Sequence, residues 1–208
     1  MAHSADEKDA LIVTDIQRDF CPGGALAVPE GDLIVPAVNR LARRFAHVIL
    51  TQDWHPPGHI SFATGHPGRR PFETMELYYG QQTLWPDHCV QGSPGADFHP
   101  GLNIPHAELV IRKGYHPTID SYSVFRENDR STPTGLAGYL RERGFDQVTL
   151  CGLALDFCVF YSALDARAAG FAATVEVSAS RAIDLDGSLA QALAAMREAG
   201  VALNETAA

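Results

Sequence analysis

Residues 150–159 read Leu-Cys-Gly-Leu-Ala-Leu-Asp-Phe-Cys-Val, and this stretch decides the fold. It ends a run rich in Val, Leu and Thr that begins at Gln147, which is the pattern of a buried strand. We predict a helix over about residues 156–169, with Asp156 as its N-cap. The tight turn between strand and helix places Cys158 in the first helical turn, close to unpaired backbone N–H groups. Cysteines in such positions have pKa values of about 3.5–7.5, so we predict that Cys158 is a nucleophile.

The composition of the 208-residue chain excludes several classes of protein. The net charge is −9 and there is no basic cluster, so we expect neither nucleic acid nor an anionic membrane as a partner. No apolar run approaches the roughly 20 residues that span a bilayer. Residues 1–9 are too polar for a signal peptide and are predicted to be a loose leader before a single domain over residues 10–208. Four cysteines without a repeating spacing do not indicate a disulfide framework, which favours the cytoplasm.

Strand and helix patterns alternate along the chain. Four further segments read as strands, at about residues 10–14, 48–52, 108–112 and 172–177. Helical spacing occupies about residues 32–45, 133–143 and 187–199. This alternation predicts an α/β fold with an open parallel sheet and helices on both faces, a three-layer αβα arrangement. The long region over residues 53–106, rich in Pro, Gly and His, is predicted to be a loop region that covers a site.

Reactive side chains follow four of the predicted strands. Asp15, Asp53, Lys113 and Cys158 each lie at or just after a strand end, and in open parallel sheets these ends share one edge. Each residue alone has an ordinary structural explanation, as a cap, a surface lysine or a buried thiol. Together they indicate chemistry, because a carboxylate can take the proton of a thiol and later give it to a leaving amine. An ammonium beside them would keep the carboxylate ionised and favour the thiolate.

The segment Asp53-Trp54-His55 indicates a metal site. Its spacing points the carboxylate and the imidazole the same way at a strand end, and the pair suits zinc, iron or manganese. His59 and His88 add candidate ligands, and His66 is a weaker candidate. Any one of these histidines alone is more often a hydrogen-bonded loop residue.

Aromatic residues flank the same region. Phe20, Trp85 and Tyr122 are each expected to pack in the core or in a covering loop, and together they are suited to sandwich a flat ring. The sequence leaves open whether the chain is a monomer or a homo-oligomer.

Five motifs carry a family resemblance: DIQRDFCPGGAL at 15–26, QDWHP at 52–56, HISFA at 59–63, LWPDHCVQG at 84–92 and GLALDFCV at 152–159. On these motifs the chain resembles the nicotinamidases of the isochorismatase-like cysteine hydrolase superfamily, from residue 10 to about residue 201. The last motif indicates only the superfamily, whereas those containing Trp54 and Trp85 narrow it to nicotinamidases. Leu155 and Phe157 depart from the Thr and Tyr that many members have there.

The resemblance implies a role for each site residue. The catalytic triad would be Asp15, Lys113 and Cys158. The metal ligands would be Asp53, His55 and His88, with His59 as an additional ligand. The substrate would be contacted by Phe20, Trp85, Tyr122 and Leu153. A cis peptide between Leu153 and Ala154 would turn the N–H groups of Ala154 and Cys158 into an oxyanion hole.

The implied activity is hydrolysis of nicotinamide to nicotinate and ammonia through a thioester, with pyrazinamide as a second substrate. It implies one divalent metal ion, zinc first, with iron or manganese as alternatives. A related amidohydrolase acting on an N-carbamoyl or ureido compound is the alternative within the fold. An isochorismatase is disfavoured because vinyl-ether cleavage needs neither this cysteine nor the Asp53–His55 pair. A binding protein that kept the fold without the chemistry is disfavoured by the complete triad.

Overall fold

A computed structural model describes residues 8–206 of the chain. Residues 1–7 of the predicted leader lie outside the described residues. Asp9, which we assigned to the leader, is instead the first residue of strand β1 and is buried. Its carboxylate accepts hydrogen bonds from Gln147 Nε2 (2.9 Å) and Thr149 Oγ1 (3.0 Å). These partners lie far along the chain, so the sequence gives no sign that a charged residue is accommodated in the sheet.

The strands of the described chain form one parallel sheet and one hairpin. In chain order they are β1 (Asp9–Thr14), β2 (His47–Asp53), β3 (Thr74–Leu77), β4 (Gly80–Thr83), β5 (Leu109–Lys113), β6 (Gln147–Leu153), β7 (Ala172–Arg181) and β8 (Ala202–Asn204). The parallel sheet has the order β5-β2-β1-β6-β7-β8, and β3 and β4 pair separately in antiparallel fashion.

Helices cover both faces of the sheet, as predicted. They are α1 (Val35–Ala42), α2 (Leu136–Glu142), α3 (Phe160–Ala168) and α4 (Ser188–Glu198). Alternate residues of β1 face opposite sides, since side chains alternate along a strand. Leu11 and Val13 join the apolar cluster that contains α1, and Ala10 and Ile12 join the cluster that contains residues of the other three helices. The three-layer α/β prediction is therefore confirmed.

Several predicted boundaries were wrong. A 3₁₀ turn at Gly31–Ile34 precedes α1, which leaves Leu33 61% exposed although its spacing suggested a buried position. Strand β5 forms an edge of the sheet, and Val110 is 47% exposed on it although its apolar run predicts a buried strand. The region over residues 53–106 contains the β3–β4 hairpin, and β8 was missed altogether because it has only three residues.

Among residues 8–206, no helix combines the length and the apolar character that crossing a bilayer requires.

Candidate active site

The site forms where the connections of the sheet change direction. From β1 the chain proceeds outward to β2 and β5, whereas from β6 it proceeds to the other side through β7 and β8. Open α/β sheets bind ligands at the carboxyl ends of the strands beside such a switch point. Asp15 follows β1, Cys158 follows β6, and Asp53 and Lys113 are register partners at the ends of β2 and β5. The prediction that these four residues meet at one edge is confirmed.

The Lys113 ammonium is the centre of the cluster. Its side chain is fully buried, and Nζ lies 2.9 Å from Asp15 Oδ2 and 3.3 Å from Cys158 Sγ. It also donates to an oxygen of Asp53 and to the carbonyl oxygen of Ser121, the latter at 3.1 Å. Burial alone would lower the pKa of Lys113, but the two carboxylates outweigh it and raise this pKa well above its ordinary value. The ammonium therefore stays charged although it is fully buried.

Asp15 is held in place by its neighbours on the sheet. Its backbone N–H donates to Thr51 Oγ1 at 3.1 Å, and the Thr51 hydroxyl donates to Asp15 Oδ1. Burial raises the pKa of Asp15, and the attraction of Lys113 only partly opposes this rise. Gly152 makes the close approach of β6 possible here, because a Cβ at this position would lie 2.1 Å from the carbonyl oxygen of Thr14.

Cys158 lies in the first turn after β6, as predicted, but its thiol is not acidic. A π-helical turn at Leu155–Val159 precedes α3, and Cys158 is 6% exposed within it. Burial raises the pKa of Cys158 well above its ordinary value, and the Lys113 ammonium lowers it only in part. The prediction of a lowered pKa was wrong because it counted the helix terminus and not the loss of water.

Asp156 does not cap the helix. The N-cap position is Ala154, which carries no side-chain acceptor. The Asp156 carboxylate instead accepts from the backbone N–H groups of Ile183 (3.0 Å) and Asp184 (2.7 Å), and from the Ser188 hydroxyl. It thereby fixes the loop after β7 against the turn that carries the cysteine.

Next to this cluster, three side chains present ligand atoms that could hold one cation. They are Asp53, His55 and His88, whose ligand atoms all lie within 4.8 Å of one another. Asp53 Oδ2 lies 3.5 Å from His55 Nε2 and 3.7 Å from His88 Nε2. Each imidazole donates its Nδ1–H to a backbone carbonyl, His55 to Gly114 and His88 to Pro86. Both Nε2 lone pairs therefore face the carboxylate, an arrangement that suits a divalent metal ion.

The charges around Asp53 favour its ionised form. Burial alone would raise its pKa, but Lys113 and then His55 hold the pKa well below the ordinary range of an aspartate. Burial would likewise lower the pKa of His55, and the facing Asp53 outweighs this and raises it. Asp53 thus belongs to both groups, through one oxygen toward Lys113 and the other toward the imidazoles.

His59 and His66 are placed differently from the other two histidines. His59 Nδ1 lies 2.8 Å from Ser61 Oγ, and His59 Nε2 lies 3.0 Å from the carbonyl oxygen of His116. Since a carbonyl only accepts, His59 carries its proton on Nε2 and has no lone pair aimed at Asp53. His66 bonds to the carbonyl oxygen of Ile60 and belongs to none of the candidate metal groups.

A cavity is lined by the cysteine and by the candidate metal ligands. Phe20, Trp85 and Tyr122 line it, as does Ala154, which follows the cis peptide that the resemblance implied. Leu153, the fourth expected substrate contact, does not line the cavity but is buried in the core beneath it. The aromatic wall packs edge to face, with Phe157 5.0 Å from Trp85 between ring centroids.

Sequence reasoning missed two polar residues of the site. Gln17 holds the backbone of Asp53 with both ends of its amide, at 2.9 Å to the carbonyl oxygen and 2.9 Å to the N–H group. Asp120 lines the cavity from a polar loop without periodicity. The local sequence carries no signal for either residue, since their contacts join segments far apart in the chain.

Comparisons with known proteins agree with this geometry. The model of the isochorismatase domain matches residues 9–208. A nicotinamidase of Acinetobacter baylyi is 54% identical over 192 residues, which cover 92% of this chain and 90% of the relative. The structure of a nicotinamidase/pyrazinamidase of Acinetobacter baumanii is 56% identical, with a TM-score of 0.95 and coverage of 96% of both chains. A pyrazinamidase of Pyrococcus horikoshii, solved in complex with zinc, is 37% identical with a TM-score of 0.77, covering 96% of this chain and 99% of that one.

The matched residues include every strand of the parallel sheet and all of the side chains described above. The chain therefore belongs to the isochorismatase family, as a hydrolase of the nicotinamidase type.

Proposed function

We propose that the chain is a metal-dependent cysteine amidohydrolase that converts nicotinamide to nicotinate and ammonia through a thioester, and that it also hydrolyses pyrazinamide. One observation carries the proposal: the Lys113 ammonium contacts Asp15, Asp53 and Cys158 at once, and Asp53 also faces two imidazoles. The nucleophile and the candidate metal ligands thus border one cavity, and the base Asp15 lies next to them, 2.9 Å from the Lys113 ammonium. From the reaction we also propose a role in NAD salvage, and from the cysteine pattern a cytoplasmic location.

The cavity suits a small flat amide. Its lining is mainly apolar and aromatic, and its polar groups are concentrated near Cys158 and Asp53. A pyridine ring would lie between Phe20 and Trp85, with its carboxamide toward the thiol. Such pockets bury most of a small ligand and use a few polar groups to orient it. Pyrazinamide has the same shape and a ring nitrogen in the same place.

In the first half-reaction Asp15 acts as the base. The pKa of Cys158 is raised, so its thiol must lose a proton during attack, and the raised pKa of Asp15 makes that carboxylate a stronger acceptor near neutral pH. The sulfur then forms a bond to the amide carbon. When the C–N bond breaks, Asp15 returns the proton to the nitrogen and ammonia leaves. The acyl group remains on Cys158 as a thioester.

The second half-reaction uses the same groups with water. Asp15 takes a proton from the water that attacks the thioester carbon, and the sulfur leaves and is protonated again. In both halves the developing oxyanion would be met by the backbone N–H groups of Ala154 and Cys158. Loss of one such donor typically costs about 10²–10³ in rate.

Asp53, His55 and His88 would hold the metal ion, and zinc suits one carboxylate with two imidazoles. When bound, the ion supplies a Lewis acid that orients the substrate through its ring nitrogen. His59 remains a weaker candidate, because its ring would have to give up its contacts with Ser61 and with the carbonyl of His116.

The proposal is tested by measuring ammonia and nicotinate release, together with metal content, in the wild type and in Cys158→Ala. We expect the wild type to turn over nicotinamide, to lose activity on chelation and to regain it with zinc. Cys158→Ala should keep its metal and its fold but release no ammonia. Cys151→Ala is the matched control, since Cys151 is fully buried in β6 outside the cavity and should leave turnover intact. Undiminished activity in Cys158→Ala would refute the nucleophile assignment.

A further inference from the structure

Gln82 is a fully buried amide whose hydrogen bonds are directed to the wall of the cavity. It lies on β4, within the region over residues 53–106 that is predicted to be a loop region. Its Nε2 lies within hydrogen-bond distance of three acceptors, the carbonyl oxygen of Thr83 at 2.7 Å, Asp120 Oδ2 at 2.7 Å and Tyr122 Oη at 2.9 Å, which share its two hydrogens. Its Oε1 accepts from Tyr79 Oη at 3.1 Å and from Asn128 Nδ2 at 3.2 Å. Both ends of the amide are therefore in use.

These bonds reach the aromatic side of the cavity. Asp120 and Tyr122 both line it, whereas Gln82 does not. Tyr122 Oη also accepts a hydrogen bond from Trp85 Nε1 at 3.2 Å, and the two rings stand nearly perpendicular at 84°. The phenol oxygen is thus in hydrogen-bond contact with both the amide nitrogen and the indole N–H. Fixing the tyrosine also fixes the orientation of the tryptophan ring.

We propose that Gln82 is a positioning residue for ring recognition. Its amide holds Tyr122, and through Tyr122 it holds Trp85, in the orientation that leaves a flat slot for a heteroaromatic amide. This inference rests on the proposed function, because it assumes that the ring of the substrate lies against Trp85. The contacts among Lys113, Asp15 and Cys158 do not involve Gln82, so its effect should fall on binding and not on the chemical step.

The amide of Gln82 both donates and accepts hydrogen bonds, and neither ionised glutamate nor methionine can do both at this position. Glutamate has the same shape but, when ionised, accepts only, and it would set a second carboxylate against Asp120. Methionine has a similar volume and makes none of these bonds. A buried donor or acceptor left without its partner is costly, so in either variant Tyr122 and Asp120 should turn away from their present positions.

The test compares Gln82→Met and Gln82→Glu with Gln81→Met. Gln81 is the preceding residue of the same strand and its side chain is exposed, so it controls for substitution in the hairpin. For both Gln82 variants we expect KM for nicotinamide to rise about tenfold, while kcat changes by less than about threefold. The Kd of nicotinate, measured by isothermal titration, should rise by a similar factor. Gln81→Met should match the wild type in all three constants.

Two Gln82 variants, each measured by kinetics and by nicotinate binding, separate failure of the positioning role from failure of the proposed function. Thermal unfolding identifies a variant that does not fold, in which case the other variant decides. If a folded variant loses kcat and keeps KM and Kd, or keeps all three constants, the positioning role is overturned. If the wild type binds nicotinamide without releasing ammonia, the proposed function fails, and the Kd comparison still decides the role of Gln82. If the wild type binds neither compound, both are refuted.

Discussion

Replacing Lys113 with methionine tests the central electrostatic feature of the site. Methionine keeps most of the apolar stem of lysine and removes the charge. In the wild type the ammonium lies 2.9 Å from Asp15 Oδ2 and also contacts Asp53, with all three side chains buried. The substitution therefore leaves two buried carboxylates close together without a compensating cation.

The expected loss of stability follows from this geometry. Removing one partner of a buried ion pair typically costs about 3–5 kcal/mol, because the remaining charge is left without compensation. Here one ammonium serves two carboxylates, which argues for the upper end of that range. Protonation of Asp15 limits the loss, since burial already raises its pKa. For the metal-free protein we expect the free energy of unfolding to fall by about 3–5 kcal/mol.

The assay is urea unfolding of the metal-free wild type, Lys113→Met and Arg112→Met. Arg112 is the neighbouring residue on β5 and is exposed, with its guanidinium 3.7 Å from the centroid of the Trp54 ring, so its substitution should lower the free energy of unfolding by only about 0.5–1 kcal/mol. Turnover is measured on the metal-loaded proteins. Since Lys113 contacts the nucleophile and the base, we expect kcat of Lys113→Met to fall by at least about 10²-fold, and KM to change far less.

Two results would contradict this reasoning. If Lys113→Met unfolds with the same free energy as Arg112→Met, the ammonium does not compensate the two carboxylates. If the variant changes KM alone, Lys113 binds substrate and takes no part in the chemistry.

Two further substitutions test separate features of the same region. Asp53→Ala should lose the metal ion, because this carboxylate faces both imidazoles; unchanged zinc by elemental analysis would show that the ligand set is wrong. Glu127 is buried, and its Oε2 has no hydrogen-bond partner among the described residues. Burial, and then the charge of Asp120, raise the pKa of Glu127 from 4.5 to about 7. The folded state thus holds a proton that the unfolded chain releases, so this contribution to stability is present below about pH 4.5 and is lost as pH rises through about 7. Glu127→Gln should therefore gain about 1–3 kcal/mol relative to the wild type between about pH 5 and about pH 8. Parallel stability profiles in urea unfolding would exclude this role.

The sequence predicted the members of the catalytic cluster because they follow strands. A buried strand can be read from its apolar run, and the carboxyl ends of parallel strands must share an edge, so Asp15, Asp53 and Lys113 could be placed together without coordinates. The resemblance, and not any spacing, assigned His88 as a metal ligand. Its Nε2 does face Asp53, from a segment 35 residues further along the chain.

The sequence could not predict the residues that position the site residues through hydrogen bonds. Gln17 and Gln82 act through hydrogen bonds to segments 36 and 40 residues away, and no local pattern distinguishes them from surface glutamines. The hairpin that carries Gln82 was also not predicted from the sequence. Strand β4 reads Gly-Gln-Gln-Thr and has no large apolar residue, and the polar–apolar alternation of β3 covers only four residues, so apolar periodicity gives little signal.

A cysteine at the start of a helix is not by itself a reactive thiolate in this fold. Cys151 and Cys158 lie in the same stretch, both are buried, and burial raises the pKa of each thiol. What distinguishes Cys158 is the Lys113 ammonium 3.3 Å from its sulfur, together with a carboxylate oxygen of Asp15 within 4.8 Å of the same sulfur. Since two carboxylates already share the ammonium, it cannot hold a thiolate permanently, and the proton must pass to a base during the reaction. A chain that kept the motif of residues 152–159 but lost the carboxylate after β1 would therefore keep the fold and the thiol, and it would lack a group to activate that thiol.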